Sequence, residues 1–514
     1  MTLYTRGNAR RSVFDTVRFR LISQVATATS YIVLVRGIPT DDFGVLSLLY
    51  AFIPAIGTVA SLGLVDVLRR YQPDYLRAGK TNAAAWLVRT VAYWRLTTNI
   101  VVLGLILLSW DYIAPIFHLT AHRLQFAEFG GIILLYFQST IMTLTLSAHM
   151  LHRYAIGSTA VWSVLKLVLY SVFSYAGHLT LDTAILTDTV AYGASFLVMR
   201  IAYHRRCMTP EAKLPYSPGR DERKRMLRYG LLNNFDEVGV LLMYSTLDNF
   251  FLAAFLSTAA VGIYSFYGRL RQMVESALPV FYFSNIVQPM LFSVPFEDAP
   301  RKMPAYFSFL VNMGLLLQWP ALVFALVYHH ELVEFVFASK FIEYSWLLPL
   351  IMGFGFLNTF SEPVYLMAQY RERAGVVLLS KVFLVYNLVA MSVLVPTLGV
   401  YGAALAAGSA QLLKNLFIWW YVRDMAVWIN ARSALLSGFA LWGAAALVCT
   451  GLKALYAGPA LLEMIVGACV IGATLLVHLR TPAITQADRD ILSGVMPARA
   501  APLLRRLGLS ATHA

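Results

Sequence analysis

Long apolar stretches dominate this chain, and each is long enough to cross a lipid bilayer. A membrane-spanning helix needs about 20 mostly apolar residues, and fourteen such stretches follow one another between residues 17 and 479. Apolar residues make up 59% of the chain and charged residues only 13%, whereas soluble domains carry about 25% charged residues. The sequence therefore predicts an all-α polytopic membrane protein with about fourteen transmembrane helices.

The apolar stretches fall into two related halves. When the sequence is shifted by 218 residues, Gly44 aligns with Gly262, Arg153 aligns with Arg371, and the spans stay in register. Six spans in each half make this a parallel repeat, for which substrate sites are expected near the midplane between two lobes. We predict five segments: an N-lobe (1–203), a cytoplasmic linker (204–227), a C-lobe (228–423), two further spans (424–480) and a cytoplasmic tail (481–514).

The net charge of +14 is distributed unevenly between the two sides of the predicted membrane. If the N-terminus is cytoplasmic, most of the 41 lysines and arginines fall on the inner side. Outer loops then contain only Arg36, Arg123, Lys340 and Lys453. Positively charged loops are retained in the cytoplasm during insertion, so we predict that both termini are cytoplasmic. This pattern explains the excess charge without nucleic-acid binding, and we expect no nucleic-acid partner.

Several basic residues lie too deep in the spans for interfacial positions. Lys and Arg near span ends extend to the interface, but Arg95 lies about nine residues into the third span, ~14 Å deep at 1.5 Å per residue. A cation near the bilayer centre costs ~2.5–3.5 kcal/mol and indicates a functional site. We predict that a cationic substrate cavity is lined by Arg95, Lys166, Arg269 and Lys381, with Arg20, Arg271 and Lys414 as secondary candidates.

Internal ion pairing is the structural alternative for these cations. Arg271 and Glu275 are spaced i,i+4, a spacing that favours mutual neutralisation on one helix face. Asp188 and Glu362 are further acids within spans that can neutralise a buried cation. For each deep cation, a cavity position and an internal pair remain open alternatives at the level of sequence.

Motifs for catalysis and metal binding are missing from the sequence. The cysteines Cys207, Cys449 and Cys469 share no metal-ligand or C-x-x-C spacing. No Walker sequence, no His-Glu-x-x-His and no Ser-His-Asp candidate is found, and the predicted outer loops are too short for a catalytic domain. We therefore expect a protein that is not an enzyme and that has no metal and no cofactor.

Four segments resemble the polysaccharide-export flippases of the multidrug/oligosaccharidyl-lipid/polysaccharide (MOP) superfamily. They are RGIPTDDFGVLSLL and SLGLVDVLRRYQPDY in the first two spans, LDNFFLAAFLSTAAVGIYSFYGRLRQ in spans 7 and 8, and LGVYGAALA between spans 11 and 12. The resemblance implies two six-helix lobes around a cationic cavity that inverts an undecaprenyl-diphosphate-linked glycan. It places the family's basic residue of span 8 on Arg269 and its aspartate ending span 7 on Asp248, followed here by Asn249 rather than a basic residue.

Three functions are compatible with such a chain to different degrees. The first is a flippase of a bacterial inner membrane that moves a polyprenyl-diphosphate-linked oligosaccharide outward, with a polysaccharide polymerase and glycosyltransferases as expected partners. The second is an ion-coupled exporter of cationic drugs on the same fold, which needs acids deep in the first lobe, where Asp188 is the nearest candidate. The third, a membrane-embedded polymerase or ligase, needs a large outer loop. We predict the flippase.

Overall fold

The computed structural model describes residues 6–241, 246–277, 287–288, 290–337, 340–455 and 458–495. The last part of the predicted tail, 496–514, lies outside the described residues. Every regular element in the described part is helical, which confirms the all-α prediction. By backbone contacts the chain separates into two compact units, Met1–Gly262 and Ile263–Ala514, called unit 1 and unit 2 below.

Unit 1 is built from long helices joined mostly by short connections, with one longer linker before α9. Helix α1 packs along α7, and α6 packs along α8. The helices are α1 (Arg6–Gly37), α2 (Thr40–Val59), α3 (Leu64–Arg77), α4 (Thr81–Leu108), α5 (Trp110–Ile116), α6 (Arg123–Ala148), α7 (His152–Tyr175), α8 (Leu181–Arg206), α9 (Arg220–Leu241), α10 (Thr246–Phe255) and the first turn of α11 (Thr258–Ala277).

A close helix crossing in unit 1 depends on two glycines that the sequence repeat equates. Gly44 of α2 lies against the start of α11, where a Cβ at position 44 would be 2.1 Å from the Thr258 carbonyl oxygen. A Cβ at Gly262 would be 2.9 Å from the Gly44 Cα. Any side chain at Gly44 would collide with main-chain atoms, which cannot rotate away, so the crossing requires glycine there.

The linker between α8 and α9 and the first turns of α9 pack against α3 and α4. Cys207 and Met226 are buried in an apolar cluster with residues of α3 and α4. Glu222 accepts hydrogen bonds from the hydroxyls of Tyr75 (2.6 Å) and Tyr216 (3.0 Å). Burial, together with the hydrogen bond to Glu222, raises the pKa of Tyr75 well above its usual value. The basic side chains of the linker are therefore carried on an ordered, packed segment.

Unit 2 contains the remaining helices of the described part, including a short helix near the C-terminus. Its apolar core gathers side chains from the helices of the unit, with Trp319 and Trp442 among the largest buried groups. The helices are α12 (Ala299–Phe337), α13 (Leu347–Leu357), α14 (Ser361–Tyr370), α15 (Ala374–Leu379), α16 (Phe383–Val422), α17 (Ala431–Leu455), α18 (Ala460–His478) and α19 (Gln486–Val495).

Helix α16 reverses direction within its length, as the sequence predicts for spans 11 and 12. Gly399 has φ +59° and ψ −135°, outside the helical region, and this positive φ favours glycine. A Cβ at Gly402 would lie 2.0 Å from the Leu394 carbonyl oxygen, because the two arms of the hairpin nearly touch there. Residues 383–422 therefore form two antiparallel helices joined by a tight turn.

Ten helical segments in the described part of the chain are long and apolar enough to cross a membrane. One of them, Gly375–Val422, contains the Gly399 reversal and thus covers two of the predicted spans. The predicted spans around α1, α9 and α11 are not among the ten. The chain is a multi-pass membrane protein, and the total of fourteen spans stays a prediction.

Candidate functional site

Arg95 lies in the interior of unit 1, where it caps the C-terminal end of α2. Only 3% of the residue is exposed, and its Nη2 donates a hydrogen bond to the Gly57 carbonyl at 2.7 Å. One turn further along α4, the Thr98 hydroxyl donates to the Ala60 carbonyl at 2.9 Å. The last carbonyls of a helix have no partner within the helix, and a cation near them is stabilised by the helix dipole.

The geometry around Arg95 depends on a small residue and on an aromatic ring. A Cβ at Gly57 would lie 2.6 Å from the Phe137 ring, so glycine keeps the approach to this carbonyl open. The Arg95 guanidinium carbon lies 4.3 Å from the centroid of the Phe137 ring, a distance at which cation and ring attract each other. The carbonyl and the ring each stabilise the guanidinium in this interior.

Lys166 forms an ion pair with a fully buried aspartate of the same unit. The Lys166 Nζ lies 2.8 Å from Asp188 Oδ1, and the Asp188 side chain is completely inaccessible. Tyr170 donates a hydrogen bond to Asp188 Oδ1 at 3.0 Å, and Tyr50 donates to Oδ2. Buried charges need a partner and satisfied hydrogen bonds to repay their desolvation, and this cluster of four polar groups meets that condition.

Aromatic rings enclose the ammonium group of Lys166. Its Nζ lies 5.2 Å from the ring centroids of Trp162 and Tyr170 and 5.6 Å from that of Tyr50. Cation–π contacts are strongest where water is excluded, and only 12% of the Lys166 side chain is accessible. Lys166 is thus held by its own unit.

The two arginines of α11, Arg269 and Arg271, have different partners. Arg271 Nε lies 2.7 Å from Glu275 Oε1, so the i,i+4 ion pair predicted from the sequence is confirmed. Arg269 is half-buried and donates from Nη1 to the Gln272 side-chain oxygen at 2.5 Å. The neutral amide of Gln272 does not neutralise the positive charge of Arg269, whereas the Glu275 carboxylate neutralises that of Arg271.

The two lysines of unit 2 lie near each other. Lys381 is in the short 3₁₀ turn Ser380–Val382, and Lys414 is in the second arm of α16; both are half-buried. Their like charges interact electrostatically. Two cations kept close in a low-dielectric region repel each other, and a bound anion would relieve that repulsion.

The remaining candidates lie in different surroundings. Arg20 is exposed on α1, as expected for a side chain that extends to the interface. Asp248 is buried in the first turn of α10, with 2% of the residue exposed. Within the described residues, no group of three or more His, Cys, Asp or Glu side chains is placed to hold a metal ion.

Sequence reasoning missed the neutral partners of the deep cations. Asp188 was recognisable as an acid within a span, and Trp162 and Tyr170 stand at i−4 and i+4 from Lys166 on α7, a spacing that indicates contact. Tyr50, in contrast, comes from α2, which no local spacing predicts. The Gly57 carbonyl has no side-chain signal at all. A signal for Arg95 was nevertheless available: Pro54 and Gly57 indicate that α2 ends or bends nearby, and a helix end needs donors.

The fold can be compared with solved structures now that its elements are defined. The structure of lipid II flippase MurJ in an inward closed conformation matches with a TM-score of 0.65 at 11% identity, covering 91% of this chain and 98% of that chain. An inward-facing multidrug resistance MATE family transporter of the MOP superfamily matches with a TM-score of 0.63 at 15% identity, covering 80% and 98%. At these identities the likeness establishes the fold alone.

A match between this sequence and a protein family is more specific than the likeness of folds. The model of the polysaccharide biosynthesis protein family matches residues 33–346, more than half of the chain. The chain belongs to the polysaccharide biosynthesis protein family, which agrees with the resemblance carried by its first, second, seventh and eighth spans. Among curated proteins, none matches this chain.

Proposed function

We propose that the protein is an alternating-access flippase of a bacterial inner membrane. Its substrate is a polyprenyl-diphosphate-linked oligosaccharide, which it moves from the cytoplasmic to the outer leaflet for surface polysaccharide assembly. The observation that carries the proposal is the family match over residues 33–346 in a chain with the fold of a lipid flippase. Glycosyltransferases that build the glycan and a polymerase that consumes it are the corresponding partners.

The buried cations provide the physical reason for an anionic substrate. Opposite charges attract more strongly in a region of low dielectric constant than in water, so a diphosphate repays part of the cost of burying Arg and Lys. Transfer of one charge across the membrane potential is worth ~2.3 kcal/mol per 100 mV. Export of an anion from a negative interior is downhill, and the membrane potential alone can therefore drive it.

We assign the first contacts with the diphosphate to the half-buried cations of unit 2. Arg269 is hydrogen-bonded to a neutral amide, and Lys381 and Lys414 repel each other electrostatically. Arg271, in contrast, is paired with Glu275 at 2.7 Å, which balances its charge. Arg95 and Lys166 contribute positive potential, and each must exchange a protein contact before it binds substrate directly.

The alternative function is an ion-coupled multidrug exporter, which the fold also accommodates. An exporter of cationic drugs needs a deep carboxylate that accepts a proton or the drug. Asp188 is the nearest candidate within the predicted spans of the N-lobe, but it forms an ion pair with Lys166 at 2.8 Å. A cationic drug would have to displace Lys166 from Asp188, and this cost favours the flippase.

A cellular experiment tests the proposal with a matched control. In a strain that lacks the chromosomal copy, Arg269→Gln and Lys381→Gln are expected to lower surface polysaccharide at least tenfold at unchanged protein level. Lys302→Gln is the control, because Lys302 forms an exposed ion pair with Asp298 (2.8 Å) outside the proposed site. Normal polysaccharide in both variants would refute the assignment of these cations.

A further inference from the structure

Unit 2 contains an apolar cavity that the transport proposal does not use. Its volume is about 490 Å³, within the range of roughly 300–1,000 Å³ that is usual for ligand pockets. Helices α12, α13 and α16, the 423–430 connection and the start of α17 supply its walls, and Thr359 and Arg423 are the only polar residues among apolar ones in its lining. A lining with so few polar groups favours an apolar ligand.

The polar edges of the wall residues are satisfied within the protein. The indole N–H of Trp419 donates to the Ala426 carbonyl at 3.0 Å, and that of Trp428 donates to Asn312 Oδ1 at 2.8 Å. The indole rings therefore present apolar faces to the cavity. A ligand that fills it needs no hydrogen-bonding groups along its length, which fits a hydrocarbon chain.

The wall formed by the 423–430 connection is fixed to α12. The Ser308 hydroxyl accepts a hydrogen bond from the Ile429 N–H at 2.8 Å and donates to the Val427 carbonyl at 3.2 Å. The Asn312 side chain also donates to Asp488 of α19 at 2.9 Å. Hydrogen bonds on two sides therefore fix this wall of the cavity before a ligand binds.

One positive charge lies at the edge of the cavity, where α16 ends. Arg423 follows the last helical residue of α16 and is exposed, with its guanidinium carbon 4.1 Å from the centroid of the Trp420 ring. The neighbouring acid, Asp424, is paired with Arg371. The Arg423 charge therefore remains available to an anion at the level where a membrane span ends.

We propose that this cavity binds one acyl chain of an anionic phospholipid from the surrounding bilayer, with the lipid phosphate at Arg423. The apolar walls account for the chain, and the basic group at the span end accounts for the headgroup. Basic side chains at the membrane surface contribute about 1 kcal/mol each to binding of anionic lipid. This site is separate from the proposed transport cations and does not depend on the transported substrate.

Native mass spectrometry of the purified full chain tests the site with two lipids. We expect one phosphatidylglycerol per chain to be retained in preference to phosphatidylcholine. Arg423→Gln is expected to reduce that preference about fivefold, since one basic contact is lost. Arg432→Gln is the control, because Arg432 is exposed in the first turn of α17 and does not line the cavity.

Filling the cavity tests the acyl-chain part of the proposal. Ala431→Trp and Leu416→Trp are expected to abolish retention of both lipids, whereas Leu447→Trp, on a 76% exposed position of α17, is expected to change nothing. A phospholipid with brominated chains is also expected to quench wild-type fluorescence, and the double variant Trp419→Phe/Trp428→Phe is expected to reduce that quenching, because both indole rings line the cavity. Equal retention in the filled variants, or displacement of the phospholipid by a polyprenyl diphosphate at equimolar amounts, would overturn the proposal.

Discussion

Replacement of Arg95 by alanine separates a structural role from a role in binding. The side chain donates a charged hydrogen bond to the Gly57 carbonyl, a contact worth ~1.5–3 kcal/mol. Its position over the Phe137 ring adds roughly 0.5–2 kcal/mol. Alanine also leaves a cavity, which costs further free energy, and it removes the ~2.5–3.5 kcal/mol cost of burying a charge. We therefore expect a net loss of about 2 kcal/mol of unfolding free energy.

Two further variants calibrate that loss. Arg95→Lys keeps the charge but loses the planar stacking on the ring, so it is expected to restore part of the stability. Thr98→Val removes the neutral hydrogen bond to the Ala60 carbonyl and is expected to cost ~0.5–1.5 kcal/mol. The Arg95 guanidinium and the Thr98 hydroxyl both belong to α4 and both cap α2. Their removal is therefore expected to destabilise the same unfolding transition.

Thermal unfolding in detergent, followed together with protein level in cells, measures the effect. The reasoning predicts a melting temperature lowered by several degrees for Arg95→Ala and a smaller decrease for Thr98→Val. The remaining folded Arg95→Ala protein is expected to transport at a near-normal rate per molecule. An Arg95→Ala protein of wild-type stability that has lost transport would refute the capping role and assign Arg95 to substrate binding.

Three other perturbations have defined outcomes. Asp188→Asn is expected to reduce the free energy of unfolding by ~3–5 kcal/mol, the cost of leaving the buried Lys166 charge unpaired, and so to lower the melting temperature strongly. The double variant Lys166→Met/Asp188→Asn is expected to recover part of the lost stability. A double variant in which the two losses of stability simply add would contradict the pairing. Gly44→Val is expected to separate α2 from α11, because its Cβ lies 2.1 Å from the Thr258 carbonyl oxygen, and loss of folded protein in size-exclusion chromatography measures this. Burial raises the pKa of Asp488; its folded-state pKa lies above its unfolded value, so the docking of α19 gains stability at low pH and loses it as pH rises through the raised pKa. Hydrogen exchange of α19 is expected to follow that trend, and Asp488→Asn is expected to flatten it.

Hydropathy and charge spacing predict much of this fold but little of its side-chain chemistry. The all-helical class, the reversal between spans 11 and 12, and the Arg271–Glu275 pair were predictable, because each depends on neighbours within one turn or one apolar run. The same holds for the family resemblance, since the quoted segments are continuous in sequence.

The partners of the deep cations were not predictable in the same way. Whether Arg95 faces a cavity or the end of α2 depends on the rotation of α4 about its axis, and apolar side chains surround a membrane helix on all sides. The Lys166–Asp188 pair joins α7 and α8, and its register is fixed by packing between them. The docking of α19 through Asp488 and Asn312 joins positions 176 residues apart.

Reconstitution of the full chain into liposomes with a fluorescent polyprenyl-diphosphate oligosaccharide tests the central claim most directly. We predict that the wild-type protein moves this lipid between leaflets, that a neutral polyprenyl glycoside is not moved, and that Arg269→Gln/Lys381→Gln slows the movement at least tenfold. Equal movement of the neutral lipid, or proton-driven efflux of a cationic dye without movement of the diphosphate lipid, would contradict it.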